Sequence, residues 1–355
     1  MHNDSVRFNN AAEVAGMRPI FQPCLVNGPF ADPALFVDVL FERRALLFDL
    51  GDITTLAPRK ILRTSHVFVT HTHMDHFVGF DRLLRICLGR ARPLTLFGPA
   101  GFIEQVNHRL ASFTWNLVEN YSVDLIVTAC EVSADGSRIS RAQFNSRERF
   151  LRRDGDASEL HDGLLLDEPA LQVRCAVLDH GIPCLGFALQ ESMHVNVWPN
   201  RLEQLGLAPG AWLRDAKRAI IDDAPDVTPV TARWREGATM HEKQLSLGQL
   251  RQAAMQCVPG QKIAYVSDVA GHVSHFERIG RFAADADLLF IEATFLERDA
   301  DEAERKNHLT ARQAGTIARE CGAREISLFH FSPRYADCEA ALVSEARTAF
   351  QGLTT

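Results

Sequence analysis

A chain of 355 residues with 46% hydrophobic and 23% charged side chains has the make-up of a globular protein. It is long enough for about two domains or for one large α/β domain with insertions, and its composition excludes wholesale disorder, collagen and coiled coil. A net charge of −7 excludes a surface that binds nucleic acid over most of its extent, so a polyanion would have to be met by a local basic patch or by metal ions in a cleft.

No apolar run approaches the roughly 18 residues needed to span a bilayer. Residues 1–5 show no cationic region leading into an apolar one, so no secretory signal is expected. The eight cysteines stand singly, without a C-x-x-C pair, and read as reduced, mostly buried thiols of a cytoplasmic protein.

In chain order, the apolar runs 35–41 and 45–50 read as strands joined by the polar turn Glu42-Arg43-Arg44. Residues 66–70 read as a buried strand that runs directly into a histidine-rich loop. Apolar side chains then recur at helical spacing (Phe77, Phe80, Leu83, Leu84, Cys87), with Gly89 where a helix would end. A strand at 94–97, a helix at 102–113 and a strand at 123–132 follow.

The next segment carries Arg138, Arg141, Arg147, Arg149, Arg152 and Arg153 with few acids. It reads first as a solvated face balanced by Glu148, Asp154 and Asp156, and second as a contact for RNA phosphates. Strands at 171–178 and 184–189 flank the loop Asp179-His180-Gly181-Ile182-Pro183. Residues 192–245 lose clear periodicity, gain Pro, Gly and Trp, and read as an inserted arm. Its Trp198, Trp212 and Trp234 are expected to anchor the arm rather than to stack on bases. Regular alternation returns with strands at 262–267, 288–293 and 325–331 and helices at 275–284, 310–322 and 338–350, the pattern of a layered α/β fold.

His71, His73, Asp75 and His76 place four potential ligands within six residues at the end of a buried strand. Imidazole nitrogen and carboxylate oxygen suit zinc, and also manganese or iron. One tetrahedral ion cannot use so dense a set, so two neighbouring ions are the natural reading. Further candidates stand after later strands: His180, Asp268 and His330. Alone, His330 reads as a core histidine and Asp268 as a helix cap; beside the histidine-rich loop both read as ligands. His272 and His275 are expected first at a helix N-terminus, facing water or substrate, and second as an extension of the metal site.

The loop His71-x-His73-x-Asp75-His76 resembles the signature of the metallo-β-lactamase superfamily. Five further segments, in order, resemble the ribonuclease Z branch, the tRNA 3′-processing endonucleases. They are Leu178-Asp179-His180-Gly181-Ile182-Pro183, Gly206-Leu207-Ala208-Pro209-Gly210, Glu292-Ala293-Thr294-Phe295, His308-Leu309-Thr310-Ala311 and His330-Phe331-Ser332-Pro333-Arg334-Tyr335. The likeness runs from about residue 19 to 337.

The resemblance implies a four-layer αββα sandwich in which residues 1–355 form one domain and 192–245 a protruding arm. It implies one zinc on His71, His73 and His180, a second on Asp75, His76 and His330, and Asp268 bridging them. A hydroxide between the ions would attack phosphorus, and Asp75 can take the water's proton. His308, supported by Glu292, would protonate the leaving oxygen, and Asp49 would orient the ligands. Leu207, Pro209 and Gly210 would lie at the tip of the arm that grips tRNA, commonly across a homodimer.

Departures from the family's pattern fall at substrate-contact positions: Leu50-Gly51-Asp52-Ile53-Thr54 after Asp49, Val269-Ala270-Gly271-His272 after Asp268, and Ile291 before Glu292. The expected function is removal of 3′ trailers from pre-tRNA. The alternatives are hydrolysis of a small-molecule ester and, third, a non-catalytic metal-binding role. A β-lactamase is disfavoured by the missing export signal, and an oxygen-reducing di-iron relative by His73, where that group usually has Glu.

Overall fold

The computed structural model describes residues 7–9, 20–40, 42–90, 92–192, 194–258 and 260–353. Residues 1–5, read above for a signal, and Phe41, read as the end of a strand, lie outside the described residues.

Two sheets face each other. One has seven strands in the order Arg7–Asn9, Glu325–Phe329, Leu288–Glu292, Lys262–Val266, Pro183–Glu191, Leu171–Asp179 and Leu164–Asp167. The other is built around Ile126–Val132, Leu94–Gly98, Thr64–Phe68 and Arg44–Phe48, four neighbours paired in parallel, with antiparallel strands on both flanks. Phe48, Phe68, Phe187, Tyr265 and Phe290 fill the space between the sheets. A second apolar cluster packs the helices Phe80–Cys87 and Phe102–Ala111 onto one outer face, and a third packs Val273–Phe282, Ala311–Glu320 and Glu339–Phe350 onto the other. Helix, sheet, sheet and helix make four layers, as a strand set buried on both faces requires.

The central strands are legible as near-continuous apolar runs because each is covered on both sides. The helix expected from residue 77 starts at Phe80 instead. The Gly79 N–H donates to Leu50 O at 2.8 Å, which takes it out of any helical ladder. A Cβ on Gly79 would lie 2.3 Å from Gly51 O, so only glycine allows that approach.

Residues 194–258 build a subsidiary unit with its own core. The strands His194–Val197 and Met255–Val258 form its base, and it carries the helices Pro199–Gln204, Trp212–Ile221 and Leu247–Ala253 and the hairpin Pro229–Glu236 with Thr239–Ser246. Leu202, Trp212, Ile220, Leu247 and Met255 are buried together in it, so the unit continues past residue 245. The elements are short, which hides their period in the sequence. All three tryptophans serve the arm itself. Trp212 is buried with its Nε1 donating to Ala208 O, the Arg201 guanidinium lies 3.8 Å over Trp198, and Trp234 stacks on His241.

The arginines at 147–153 are matched to acids. Arg147 pairs with Asp124, Arg149 with Glu119, Arg152 with Glu104 and Asp154, and Arg153 with Glu148. Among the described residues no helix is long and apolar enough to cross a membrane. The eight cysteines are all unpaired, and five are buried.

Candidate metal centre

The parallel strands deliver their C-terminal ends to one rim, where α/β sheets place their ligand sites. Asp49 follows Arg44–Phe48, His71 lies just beyond Thr64–Phe68, Asp268 follows Lys262–Val266, and His330 follows Glu325–Phe329. His180 sits in the turn between Leu171–Asp179 and Pro183–Glu191. Asp49, Asp268 and His330 all have positive φ (59°, 48° and 59°). Non-glycine residues rarely sit there, and such strain concentrates at functional sites.

The structure brings the seven predicted ligands together. One group holds His71, His73, His180 and Asp268, and another holds Asp75, His76 and His330; within each, the donor atoms lie within 4.8 Å of one another. Asp268 joins the groups. Its Oδ2 is 3.6 Å from His71 Nε2, 3.5 Å from His180 Nε2 and 3.4 Å from His76 Nε2, and its Oδ1 is 3.2 Å from His330 Nδ1.

Hydrogen bonds aim the rings. His76 Nδ1 donates to Asp49 Oδ2 (2.9 Å), and His180 Nδ1 donates to Asn307 O (2.8 Å). His71 Nδ1 donates to Thr70 Oγ1 (3.0 Å), whose own proton goes to Asp49 Oδ2 (3.0 Å). Each Nε2 is thereby turned inward. The Nε2 atoms of His71 and His76 are buried and have no hydrogen-bond partner among the described residues. Orphaned buried nitrogens beside ionised carboxylates are what a cation site requires, so the donor set fits divalent metal.

The protonation states agree with that fit. Burial, reinforced by His76, pushes His71 down to about 2, so it is a neutral donor at neutral pH. Burial opposes charge on Asp75, but the hydrogen bond from His330 and the nearby His76 outweigh it and bring it to about 2. Burial likewise disfavours a charged His76, yet Asp268 and Asp49 raise its pKa well above 6.5. Metal uptake at His76 would therefore be coupled to proton release.

His308 and Glu292 form the other half of the site. His308 Nδ1 donates to Glu292 Oε2 at 2.8 Å, and the fully buried Glu292 also accepts from Val269 N and from Thr294 Oγ1. Burial lowers the His308 pKa, but the Glu292 carboxylate more than compensates and lifts it to about 9. His308 lies against His180 and His330, with ring centroids 4.8 and 5.5 Å away.

No family model matches the chain. It is 31% identical over 316 residues to the ribonuclease Z of Deinococcus radiodurans, covering 88% of this chain and 90% of that protein. This chain belongs to the ribonuclease Z family. The ribonuclease Z of Geobacillus kaustophilus is 29% identical over 326 residues (88% and 87% covered), and the human zinc phosphodiesterase ELAC protein 1 is 27% identical over 326 residues (86% and 83%). Among solved structures, human tRNase Z, short form, matches with TM-score 0.50 at 20% identity (89% and 93% covered). The metallo-β-lactamase fold protein YhfI of Bacillus subtilis matches with TM-score 0.51 at 15% identity (93% and 94%). The fold of this chain is therefore the metallo-β-lactamase fold.

Two expectations need correction. Leu207 was expected to meet substrate, but its side chain is only 3% exposed in the arm's own core; Pro209 is exposed. Gly210 is half-buried, and a Cβ there would lie 2.6 Å from Arg233 O, so it is a packing glycine beneath the hairpin. His275 was expected to face water or substrate. It is buried, with Nδ1 2.8 Å from Ala270 O, because it lies on the inner face of helix Val273–Phe282, whereas His272 stands exposed at the N-cap position of that helix without a side-chain cap hydrogen bond.

Sequence reasoning also passed over Tyr265, Thr70, Thr294 and Asn307. Tyr265 OH donates to Asp49 Oδ2 (3.0 Å) from the opposite sheet. Tyrosine inside an apolar run carries no signal of that partner. Asn307 holds His180 through its backbone carbonyl, an interaction to which its side chain is irrelevant.

Proposed function

We propose that the protein is a metal-dependent endoribonuclease that removes 3′ trailers from pre-tRNA, working with two divalent cations, zinc first among the candidates. The His308–Glu292 pair, set against a seven-donor cluster, is the observation that carries this reading. His71, His73 and His180 would hold one ion, Asp75, His76 and His330 the other, with Asp268 between them. Bound there, such ions acidify water and neutralise phosphate charge.

The chain's own residues do the rest. Asp75 is an ionised carboxylate at the mouth of the site and can take a proton from the attacking water. His308 keeps one proton on Nδ1 for Glu292 and carries the other on Nε2, where a leaving 3′ oxygen can receive it. Asp49 fixes His76 directly and His71 through Thr70. The arm would support recognition of tRNA, with Pro209 at its surface. Assembly as a homodimer follows from the family resemblance and is tested by sedimentation equilibrium. The unpaired cysteines suit a cytoplasmic location.

The decisive assay gives the zinc-loaded protein a pre-tRNA with a 3′ trailer and, in parallel, bis-p-nitrophenyl phosphate, with Asp75→Ala as control. Cleavage after the discriminator base, absent in the control, is expected. Turnover of the small diester with intact pre-tRNA would replace this reading with a small-ester hydrolase, a result that would point to the altered positions Asp52 and Val269.

A further inference from the structure

The cavity that holds Asp75, His308 and His330 has a second wall outside the metal cluster. It encloses about 300 Å³, at the small end of ligand pockets and near the size of one nucleotide. Phe30, Asp32 and Lys306 line it together with Ser332. None of these four belongs to the donor set or to the His308–Glu292 pair.

The segment carrying Phe30 and Asp32 is fixed at both ends to the site. Phe331 N donates to Pro29 O (2.7 Å), and Gly51 N donates to Pro33 O (2.9 Å). Asn27 Nδ2 donates to Asp32 O (2.8 Å) and to Asp52 O (2.7 Å). Phe30 meets Phe331 edge-on, with ring centroids 5.4 Å apart. These side chains are therefore presented in one arrangement before any ligand arrives, and the ordering cost on binding is small.

Asp32 stands in an unfavourable place for a carboxylate. Burial, then the charges of Asp75 and Asp52, push its carboxyl above the ordinary value. The Asp52 backbone and the charge of His76 pull the other way without offsetting this, and among the described residues no Lys or Arg forms an ion pair with it. An acid in a cleft without a cationic side-chain partner is a candidate for function. What it can bind follows from its chemistry. An ionised carboxylate only accepts hydrogen bonds and repels phosphate oxygens, whereas a sugar hydroxyl donates. Lys306 supplies the complementary group: an exposed ammonium, 3.4 Å from Glu302, that can reach a phosphate at the cavity's other side. Phe30 adds an apolar rim.

We propose that Asp32 accepts the 2′-hydroxyl of a ribose next to the scissile phosphate, so that this wall of the cleft distinguishes RNA from DNA. The inference rests on the RNA-cleaving reading above and adds the residue that reads the sugar. Loss of a charge-assisted hydrogen bond predicts a change of about tenfold or more.

The test uses the full-length zinc-loaded protein and three pre-tRNAs: all-ribo, and two with a single 2′-deoxy nucleotide immediately 5′ or 3′ of the scissile phosphate. Wild type should lose about tenfold or more in kcat/KM on one deoxy substrate. Asp32→Ala should bring that ribo-to-deoxy ratio close to one, and Asp32→Asn, whose amide oxygen still accepts, should keep part of it. Kd values measured in a His308→Ala background should show the same preference. A ratio that is unchanged in Asp32→Ala, with all-ribo pre-tRNA still cut, overturns the role of Asp32. All-ribo pre-tRNA left uncut by wild type overturns the RNA-cleaving reading itself, and the role of Asp32 falls with it.

Discussion

Removing one oxygen atom behind the candidate metal ligands tests how the centre is held. Asp49 is fully buried and accepts four hydrogen bonds: from Thr70 N (2.7 Å) on Oδ1, and from Thr70 Oγ1 (3.0 Å), His76 Nδ1 (2.9 Å) and Tyr265 OH (3.0 Å) on Oδ2. Tyr265 is the one donor that comes from the facing sheet. Burial and Asp49 push its phenol well above 10, so it stays protonated and donates. Tyr265→Phe keeps the ring and its packing on Phe48 and Phe329 and deletes only the hydroxyl. A hydrogen bond to a buried charge contributes about 1.5–3 kcal/mol. With an unfolding entropy of about 2.1 cal/mol/K per residue, 2 kcal/mol in a chain of 355 residues lowers Tm by about 3 °C. Loosening of His76 should weaken metal binding about tenfold, the lower end for changes in groups that orient ligands. Chelator competition reads the affinity, and calorimetry of the metal-free protein reads the stability. Unchanged values in both would refute the idea that the facing sheet orients His76 through Asp49.

Three further outcomes are expected. His308→Ala should abolish pre-tRNA cleavage while elemental analysis still finds the wild-type metal content; full activity would remove it from proton transfer. Replacing residues 194–258 with a short Gly-Ser linker should abolish pre-tRNA cleavage but spare bis-p-nitrophenyl phosphate, because the arm's core is separate from the three clusters of the body; equal loss on both substrates would tie the arm to folding of the cleft. His66 is held down to about 4, by burial first and then by Arg44 and Arg92 against the opposing effect of Glu168. The unfolded chain therefore binds this proton more readily between about pH 4 and 6.5, and stability is full above 6.5 and lost as pH falls toward 4. At pH 5 the loss from this group is about 2 kcal/mol, so urea unfolding at pH 7.5 and 5 should show a correspondingly smaller drop for His66→Gln than for wild type.

The layers were legible because their signals are local. Runs such as Ile263–Val266 and Leu288–Ile291 are apolar throughout, as strands buried on both faces must be. The candidate ligands were legible for a related reason: His71, Asp268 and His330 stand close behind the ends of such runs, and His73, Asp75 and His76 follow in the same loop as His71. What the sequence could not reveal depends on contacts between distant segments. Tyr265 reads as one more core aromatic until the opposite sheet places Asp49 within hydrogen-bond reach. His275 looks like its neighbour His272 until the face of the helix is known. Leu207 sits in a motif that marks the arm, but its side chain supports the arm from inside. Asp32 has no local mark at all, because its neighbours Asp52 and Asp75 lie far along the chain.

The separate core of residues 194–258 has a consequence for how the molecule can change over generations. Its apolar contacts are satisfied internally, and it joins the body through one pair of short strands. Insertions, deletions or a reshaped hairpin can therefore accumulate there without repacking anything behind the histidines. In a population of variants, the arm should drift in length and charge at its own rate, while the residues around Asp49 tolerate almost no exchange. Hydrogen exchange on a single protein should reveal the same division, with the amides of the hairpin Pro229–Glu236 and Thr239–Ser246 opening at a lower free energy than those of the inter-sheet strands.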